Sequence, residues 1–283
     1  MTRRAGIIGH PVAHSLSPVF QSAAFAHCGL DVVYERWDTP IELLAERIQS
    51  LRPPGLLGAN VTVPHKEAVI PLLDELGGQS ARMGAVNTIV NRDGRLFGFN
   101  TDGPGFVAAL GREALFEVAG KNILLAGAGG AARGIAFALL EARAAAIAIS
   151  NRTPRRAERL AREVGGPGPG VRAVPADSPL APYDCIVNCT SVGMHGGPDP
   201  SGLPLALTGA RDDALIVDIV YAPEQTPFLR EAGRLGLRTL GGLPMLIYQG
   251  ALAFELWTGL SAPIDVMFAA ARNELANRAG ASQ

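Results

Sequence analysis

Lysine is almost absent from this chain, and one of the places where it survives could do chemistry. Of twenty-five lysine and arginine residues only two, Lys66 and Lys121, are lysine. Lys66 closes the segment Asn60-Val-Thr-Val-Pro-His-Lys66, whereas Lys121 follows Gly120 just before an apolar run and reads as an ordinary solvated charge. A lysine can lose its proton within the protein range and an arginine cannot, so Lys66 is the candidate for proton transfer. Asp102, in Asn100-Thr-Asp-Gly103, is the acid to pair with it: it ends the first block of the chain, at the expected edge of an interdomain cleft. Small polar residues gather at strand–helix junctions of the same block: Ser15, Ser17, Asn60, Thr62, Asn87, Thr88 and Thr101. Ser17 is expected to cap the helix that Pro18 opens. That leaves Ser15 free to help bind an anion at the helix start. The set suits a small polyhydroxylated anion.

Other chemistries have less support. None of Tyr34, Tyr183, Tyr221 and Tyr248 has a lysine four residues later, so the Tyr-x-x-x-Lys pair of short-chain reductases is missing. His10 and His14 lack a third ligand and read as packing or hydrogen-bonding residues. Cys185 and Cys189 read as core thiols facing one side of a strand. No metal site is expected.

The best-defined local motif is Ile123-Leu-Leu-Ala-Gly127-Ala128-Gly129-Gly130-Ala131-Ala132-Arg133. It sets G-x-G-x-x-A between an apolar strand and an Ala/Leu-rich helix. Gly127 allows the tight turn, Gly129 lets the backbone approach a pyrophosphate, and Ala132 permits close helix–strand packing. The next strand ends Ser150-Asn151-Arg152-Thr153, without the carboxylate that would accept from the ribose of NAD. Arg152, helped by Thr153 and Arg156, would instead meet a 2′-phosphate. The expected cofactor is NADP.

These residues need a scaffold, and short apolar runs alternating with helical patterns point to an α/β fold. In the first block the runs are 5–9, 32–37 and 56–61, each followed by a helix expected to open at Pro18, Pro40 or Pro64. Residues 86–91 and 95–100 flank Arg92-Asp93-Gly94 and read as a β-hairpin. A helical stretch from Gly103 leads into strands expected at 123–126, 145–150, 185–189 and 215–220. Loops are expected at 165–170 and 194–202, and helices at 243–258 and 263–277.

Composition bounds the rest. The 283 residues suffice for one large core or two domains, and 48% apolar with 18% charged residues is globular. A net charge of −1 gives no general pull toward nucleic acid or acidic lipid. The arginines at 152, 155, 156, 159 and 162 are interleaved with Glu158 and Glu163 and read as a solvated helix face. Three cysteines argue against a disulfide framework. With neither a signal peptide nor a membrane span in the sequence, a soluble cytoplasmic protein is expected.

Taken together, the segments resemble the shikimate dehydrogenase family. The resemblance rests on His14-Ser-Leu-Ser-Pro18, Asn60–Lys66, Gly84-Ala-Val-Asn-Thr88 and Asn100–Gly103. It continues through Gly127–Arg133, Asn151–Thr153, Asn188-Cys-Thr-Ser-Val-Gly-Met194, Asp218–Tyr221 and Gly242-Leu-Pro-Met-Leu-Ile-Tyr-Gln249. It implies an NADPH-dependent reduction of 3-dehydroshikimate to shikimate, with Lys66 and Asp102 as the catalytic pair. By the same resemblance Ser15 and Ser17 hold the carboxylate, while Thr62, Asn87, Asp102 and Gln249 hold ring hydroxyls. Asn60, Lys66 and Tyr221 complete the substrate set; Thr190, Gly242 and Met245 join 127–132 and 151–153 around NADP. The implied fold is a discontinuous α/β substrate-binding domain (1–102, with C-terminal helices from 238–283 returning to it) and a Rossmann-type NADP domain (103–237), with a cleft between them. The resemblance implies a monomer or homodimer with a small-molecule substrate.

Two departures stand out. Val19-Phe20-Gln21 replaces a frequent His-Asn pair, and Gly250 replaces a frequent alanine. Three alternatives remain at this level: a quinate-preferring relative using NAD, a dehydrogenase for an amino analogue of shikimate, and a non-catalytic NADP sensor.

Overall fold

In the computed structural model of the chain, residues 2–78, 80–165 and 170–281 are described. The interior of the glycine–proline loop expected at 165–170 lies outside them. The chain divides into two compact units: residues 1–101 with 247–283, and residues 102–246.

The first unit is built from β1 (Arg3–Gly9), α1 (Ser17–His27), β2 (Val32–Asp38), α2 (Leu44–Gln49), β3 (Leu56–Val61), β4 (Glu75–Leu76), α3 (Ser80–Met83), β5 (Thr88–Arg92) and β6 (Arg95–Phe99). Its sheet runs β2-β1-β3-β5-β6-β4, parallel from β2 to β3 and antiparallel through the β3–β5 and β5–β6 pairs. The chain begins at β1 and lays β2 on one side and β3 on the other, so a topological switch point falls between β1 and β3. One core cluster packs Ile8, Trp37, Leu44, Ile48, Val69, Ile89 and Leu96. The expected hairpin is present. Asp93 and Gly94 both take positive φ, at 52° and 84°, matching a two-residue turn that follows the strand twist.

The helix expected to open at Pro64 is not there. The backbone makes one helical bond, from Val69 N–H to the His65 carbonyl. The Lys66 carbonyl accepts instead from Val86 N–H at 2.8 Å, and the buried His65 side chain bonds the Thr39 carbonyl at 2.6 Å. With the Lys66 carbonyl taken by a distant N–H the helix does not propagate, and the segment closes as turns that end in a short 3₁₀ stretch, Ile70–Leu72. At Pro40 the chain first makes a short 3₁₀ turn, Ile41–Leu43, before α2.

The second unit contains α4 (Asp102–Glu113), β7 (Asn122–Ala126), α5 (Gly130–Glu141), β8 (Ala146–Ser150), α6 (Pro154–Gly165), β9 (Val171–Ala173), β10 (Cys185–Asn188), β11 (Leu215–Asp218), α7 (Pro227–Arg234) and β12 (Arg238–Leu240). Its sheet is parallel throughout, in the order β12-β11-β10-β7-β8-β9. This is the doubly wound dinucleotide-binding order, with its switch point between β7 and β10. Helices α4 and α5 pack closely because both carry glycine at the crossing: a Cβ on Gly103 would stand 2.7 Å from the Gly134 carbonyl oxygen. Helix α6 buries Ala157, Leu160, Ala161 and Val164 and leaves its arginines toward solvent.

Two helices finish the chain, α8 (Leu243–Thr258) and α9 (Ile264–Ala281). The return to the first unit, expected at 238, falls at Ile247. The reason is local: β12 pairs with β11, and Gly242 N–H bonds the Val220 carbonyl, which ties this stretch to the second sheet.

Candidate active site

In the first unit the polar residues form a continuous buried network. Asn60, on β3, accepts from Tyr34 Oη at 2.7 Å and donates to Thr88 Oγ1 at 3.2 Å and the Asn87 carbonyl at 3.3 Å. Asn87 Oδ1 accepts from Thr101 N–H at 2.7 Å and from the Thr88 hydroxyl at 3.1 Å. Its Nδ2 donates to Thr101 Oγ1 at 2.9 Å and, over a longer 3.3 Å, to Gln249 Oε1 on α8. Asn60, Asn87, Thr88, Thr101 and Gln249 are all buried, so this network is built of neutral amides and hydroxyls. Such groups can donate to or accept from hydroxyls without the large cost of burying an unpaired ion.

Tyr34 is the member of the network that the sequence did not single out. Burial pushes its phenol well above the usual range, and a bond from the Ser17 hydroxyl opposes that rise. Tyr34 thus enters the network as a neutral phenol donating to Asn60. The available signal was a polar aromatic tip on β2, between Val33 and Glu35.

The cap expected of Ser17 is not formed at the helix start. Ser17 is the first residue of α1, the residue before it is Leu16, and no side chain caps the helix there. Ser15 Oγ instead accepts from Ser17 N–H at 3.2 Å, so the local backbone role belongs to Ser15. Ser15 is half-buried and Ser17 buried. The loop before α1 is also held by Arg36, which donates to the Ser15 carbonyl at 3.0 Å, and Arg278, which donates to the His14 carbonyl at 2.8 Å. Thr62 and Lys66 follow β3 and are half-buried. His10 contacts the Asp38 carboxylate at 3.2 Å, the hydrogen-bonding role expected of it.

Asp102 and Tyr221, expected on the substrate side, belong to the second unit; Asp102 is buried at the start of α4 and Tyr221 is half-buried. Among the described residues no group of histidine, cysteine and acidic side chains could hold a metal. No described helix is long and apolar enough to cross a membrane.

In the second unit the residues expected around the cofactor present mainly backbone. Gly127 takes φ +120°, and a Cβ there would stand 3.0 Å from both the Cys189 carbonyl oxygen and Thr190 Cγ2. Thr190 is held in turn by the Asn188 side chain at 2.7 Å. Gly129 precedes α5 with no side-chain cap, and nothing lies within 4 Å of where a Cβ on Gly129 or Gly130 would be. Open space, uncapped N–H groups and the positive end of the helix dipole fit a pyrophosphate. Ala128 and Ala131 flank the loop half-buried, and Ala132 is fully buried beneath it. After β8, Asn151 donates to the Thr153 carbonyl at 3.0 Å; Arg152 and Thr153 are exposed, and Arg152 has no ion pair among the described residues. Gly242 is sterically obligatory, since a Cβ would come within 2.2 Å of the Ile219 carbonyl oxygen. Met245, on the first turn of α8, is half-buried.

The second unit also has a buried carboxylate hub that the sequence gave no role of its own. Asp218 accepts from Asn188 at 3.0 Å, Val220 N–H at 3.0 Å and the Thr226 hydroxyl at 2.7 Å, joining β10, β11 and the cap of α7. Burial raises its pKa, with those three bonds opposing the rise.

A glycine loop at the switch point of a doubly wound parallel sheet, with an arginine rather than an acid after the second strand, belongs to the nicotinamide-dependent dehydrogenases. Family models narrow the class. The shikimate dehydrogenase substrate binding domain matches residues 7–89, the shikimate / quinate 5-dehydrogenase model residues 109–195, and the shikimate 5′-dehydrogenase C-terminal domain residues 242–272. A shikimate dehydrogenase (NADP(+)) of Geobacillus kaustophilus is 47% identical over 264 residues, covering 92% of this chain and 94% of its own. The crystal structure of the Thermus thermophilus shikimate 5-dehydrogenase in complex with NADP(H) and shikimate is 46% identical, covers 96% of this chain and 99% of its own, and superposes with a TM-score of 0.87. A shikimate dehydrogenase in complex with NADP+ is 40% identical, covers 97% and 96%, and gives a TM-score of 0.92. The chain belongs to the shikimate dehydrogenase family.

Proposed function

We propose that this chain catalyses the reversible NADPH-dependent reduction of 3-dehydroshikimate to shikimate, a step of aromatic amino-acid biosynthesis. The observation that carries this reading is the buried amide–hydroxyl network centred on Asn87, which suits a ring bearing several hydroxyls. Ser15 and Ser17, at the start of α1, receive the substrate carboxylate. Thr62, Asn87, Asp102 and Gln249 take ring hydroxyls, and Tyr221 completes the set. Asn60 has its side chain engaged by Tyr34, Thr88 and Asn87, so it serves by holding its neighbours.

The nicotinamide supplies or accepts the hydride. Lys66 moves the proton: as an ammonium it donates to the carbonyl oxygen during reduction, and as a neutral amine it accepts the hydroxyl proton during oxidation. Asp102 is the acidic member of the pair. Residues 127–132 hold the pyrophosphate, Arg152 with Asn151 and Thr153 holds the 2′-phosphate, and Thr190, Gly242 and Met245 complete the cofactor set. The three cysteines are free thiols, which fits a reducing cytoplasmic setting. The chain acts as a monomer or homodimer, without a nucleic-acid or membrane partner.

Initial rates with shikimate and quinate, each with NADP and NAD, test the reading. The shikimate–NADP pair is expected to give the highest kcat/KM. Equal use of NAD would remove the role of Arg152, and a preference for quinate would replace the substrate.

A further inference from the structure

The two sequence departures, Phe20-Gln21 and Gly250, meet in the fold. Gln21 lies one helical turn after Ser17 on α1, so the two share a face. Gln21 is fully buried, and its Nε2 donates to the Gly250 carbonyl at 2.8 Å. Gly250 sits within α8, directly after Gln249. A Cβ there would stand 2.5 Å from Phe20 Cε2 and 3.3 Å from Gln21 Nε2, so a phenyl ring and an amide take up the space an alanine would need. The other end of the amide, Oε1, is buried without a hydrogen-bond partner. Turning the amide over would set two oxygens against each other, so the donor is committed to Gly250.

A side chain selected only to fill this space would be apolar, because a half-satisfied buried amide is a poor stabiliser. What the amide provides is a fixed donor on the backbone of the turn that carries Gln249. Gln249 in turn meets Asn87 at a long 3.3 Å, a contact sensitive to small movements of that turn. We propose that Gln21 is a positioning residue for Gln249, coupling the Ser17 end of α1 to the hydroxyl-binding group on α8. The inference rests on the reading that Gln249 binds a ring hydroxyl.

Steady-state kinetics of Gln21→Met, Gln249→Ala and the double variant, with thermal melts, test it. Met keeps the length and removes the donor. Gln21→Met is expected to raise the shikimate KM about two- to tenfold, the worth of one hydrogen bond. The NADP KM and Tm should stay at wild-type values. Gln21→Asn, too short to reach Gly250, should raise the KM likewise while lowering Tm, because its amide is left buried and unpaired. In the double variant the KM should match that of Gln249→Ala alone, because the device acts only through that residue. An unchanged KM in both Gln21 variants, or fully additive effects in the double variant, would overturn the inference while leaving the substrate role of Gln249 intact. If Gln249→Ala itself left the KM unchanged, that role would fall and the inference with it.

Discussion

The two sheets reach their switch points in the same way and then diverge. In the first unit β1 ends at Gly9, where a Cβ would stand 2.4 Å from Thr62 Cγ2 at the end of β3. In the second β7 runs into Gly127, where a Cβ would meet Thr190 after β10. Each glycine lets two strand ends approach, with a threonine from the neighbouring strand closing the gap. Beyond that point the second chain turns at once into α5 and leaves the helix start open. The first wanders through residues 10–16, and Ser15 takes a backbone N–H of α1 for itself. The second unit therefore offers a ligand mostly backbone, whereas the first offers side chains backed by a buried network. A backbone site tolerates change everywhere except at its glycines; a side-chain site depends on each member and its support.

The comparison breaks most sharply at Lys66. Lys66→Ala is expected to lower kcat by about 10²–10⁴-fold, the usual worth of a positioned acid–base group. The NADP KM should hold, because the cofactor groups lie on other strands. Lys66→Arg should not restore the rate, since a guanidinium cannot accept the proton. Substantial activity in Lys66→Arg would reduce Lys66 to a plain positive charge.

Arg152 is the side chain on which the cofactor site is expected to depend most. Arg152→Asp should cut kcat/KM for NADP about 10- to 100-fold, in line with losing a charge-assisted hydrogen bond, and act mainly through KM. Activity with NAD should be spared, and equal losses with both cofactors would argue against a 2′-phosphate contact. Gly129→Ala isolates the backbone term. Its Cβ meets nothing within 4 Å, so Tm should not fall. A bound pyrophosphate would be crowded, and the NADP KM should rise about tenfold, as a loss near 1.4 kcal/mol implies. Unchanged cofactor binding would place the pyrophosphate elsewhere.

On the first unit, Ser15→Ala should raise the shikimate KM and also lower stability by about 0.5–1.5 kcal/mol, because it removes the bond from Ser17 N–H. Denaturant melts beside the kinetics separate the two effects. A lower Tm with an unchanged KM would leave Ser15 a purely structural residue.

The smallest expected effect is a pH dependence at Asp218. Burial holds this carboxyl above its ordinary value, so the folded chain binds the proton more tightly than the unfolded one. That contribution to stability is complete below the unfolded carboxyl value and is lost as pH rises through the folded value. Asp218→Asn cannot lose it. The Tm of the variant relative to wild type should therefore climb as pH rises above the ordinary carboxyl value of about 4. A difference independent of pH would mean that the three hydrogen bonds cancel the cost of burial.

Contiguous motifs were legible in the sequence because their physics is local. Gly127–Ala132 specifies a turn and a helix start within a few residues, Asp93-Gly94 specifies a hairpin, and the apolar run from Leu243 specifies α8 through Thr258. The arginine cluster likewise read correctly as the solvated face of α6. Contacts between distant stretches were not legible, and they reversed several expectations. Pro64 looked like a helix start until Val86 took the Lys66 carbonyl and Thr39 took His65. Ser17 looked like the cap until it proved to be the first helical residue, with Ser15 meeting its N–H. Gln21 and Gly250 looked like unrelated departures until α1 and α8 brought them within 2.8 Å. Spacing along a chain sets which backbone geometry a segment can adopt, and the sequence determined that much by itself. Which donor finds which buried acceptor depends on strand order and helix packing, and only the tertiary structure decided it.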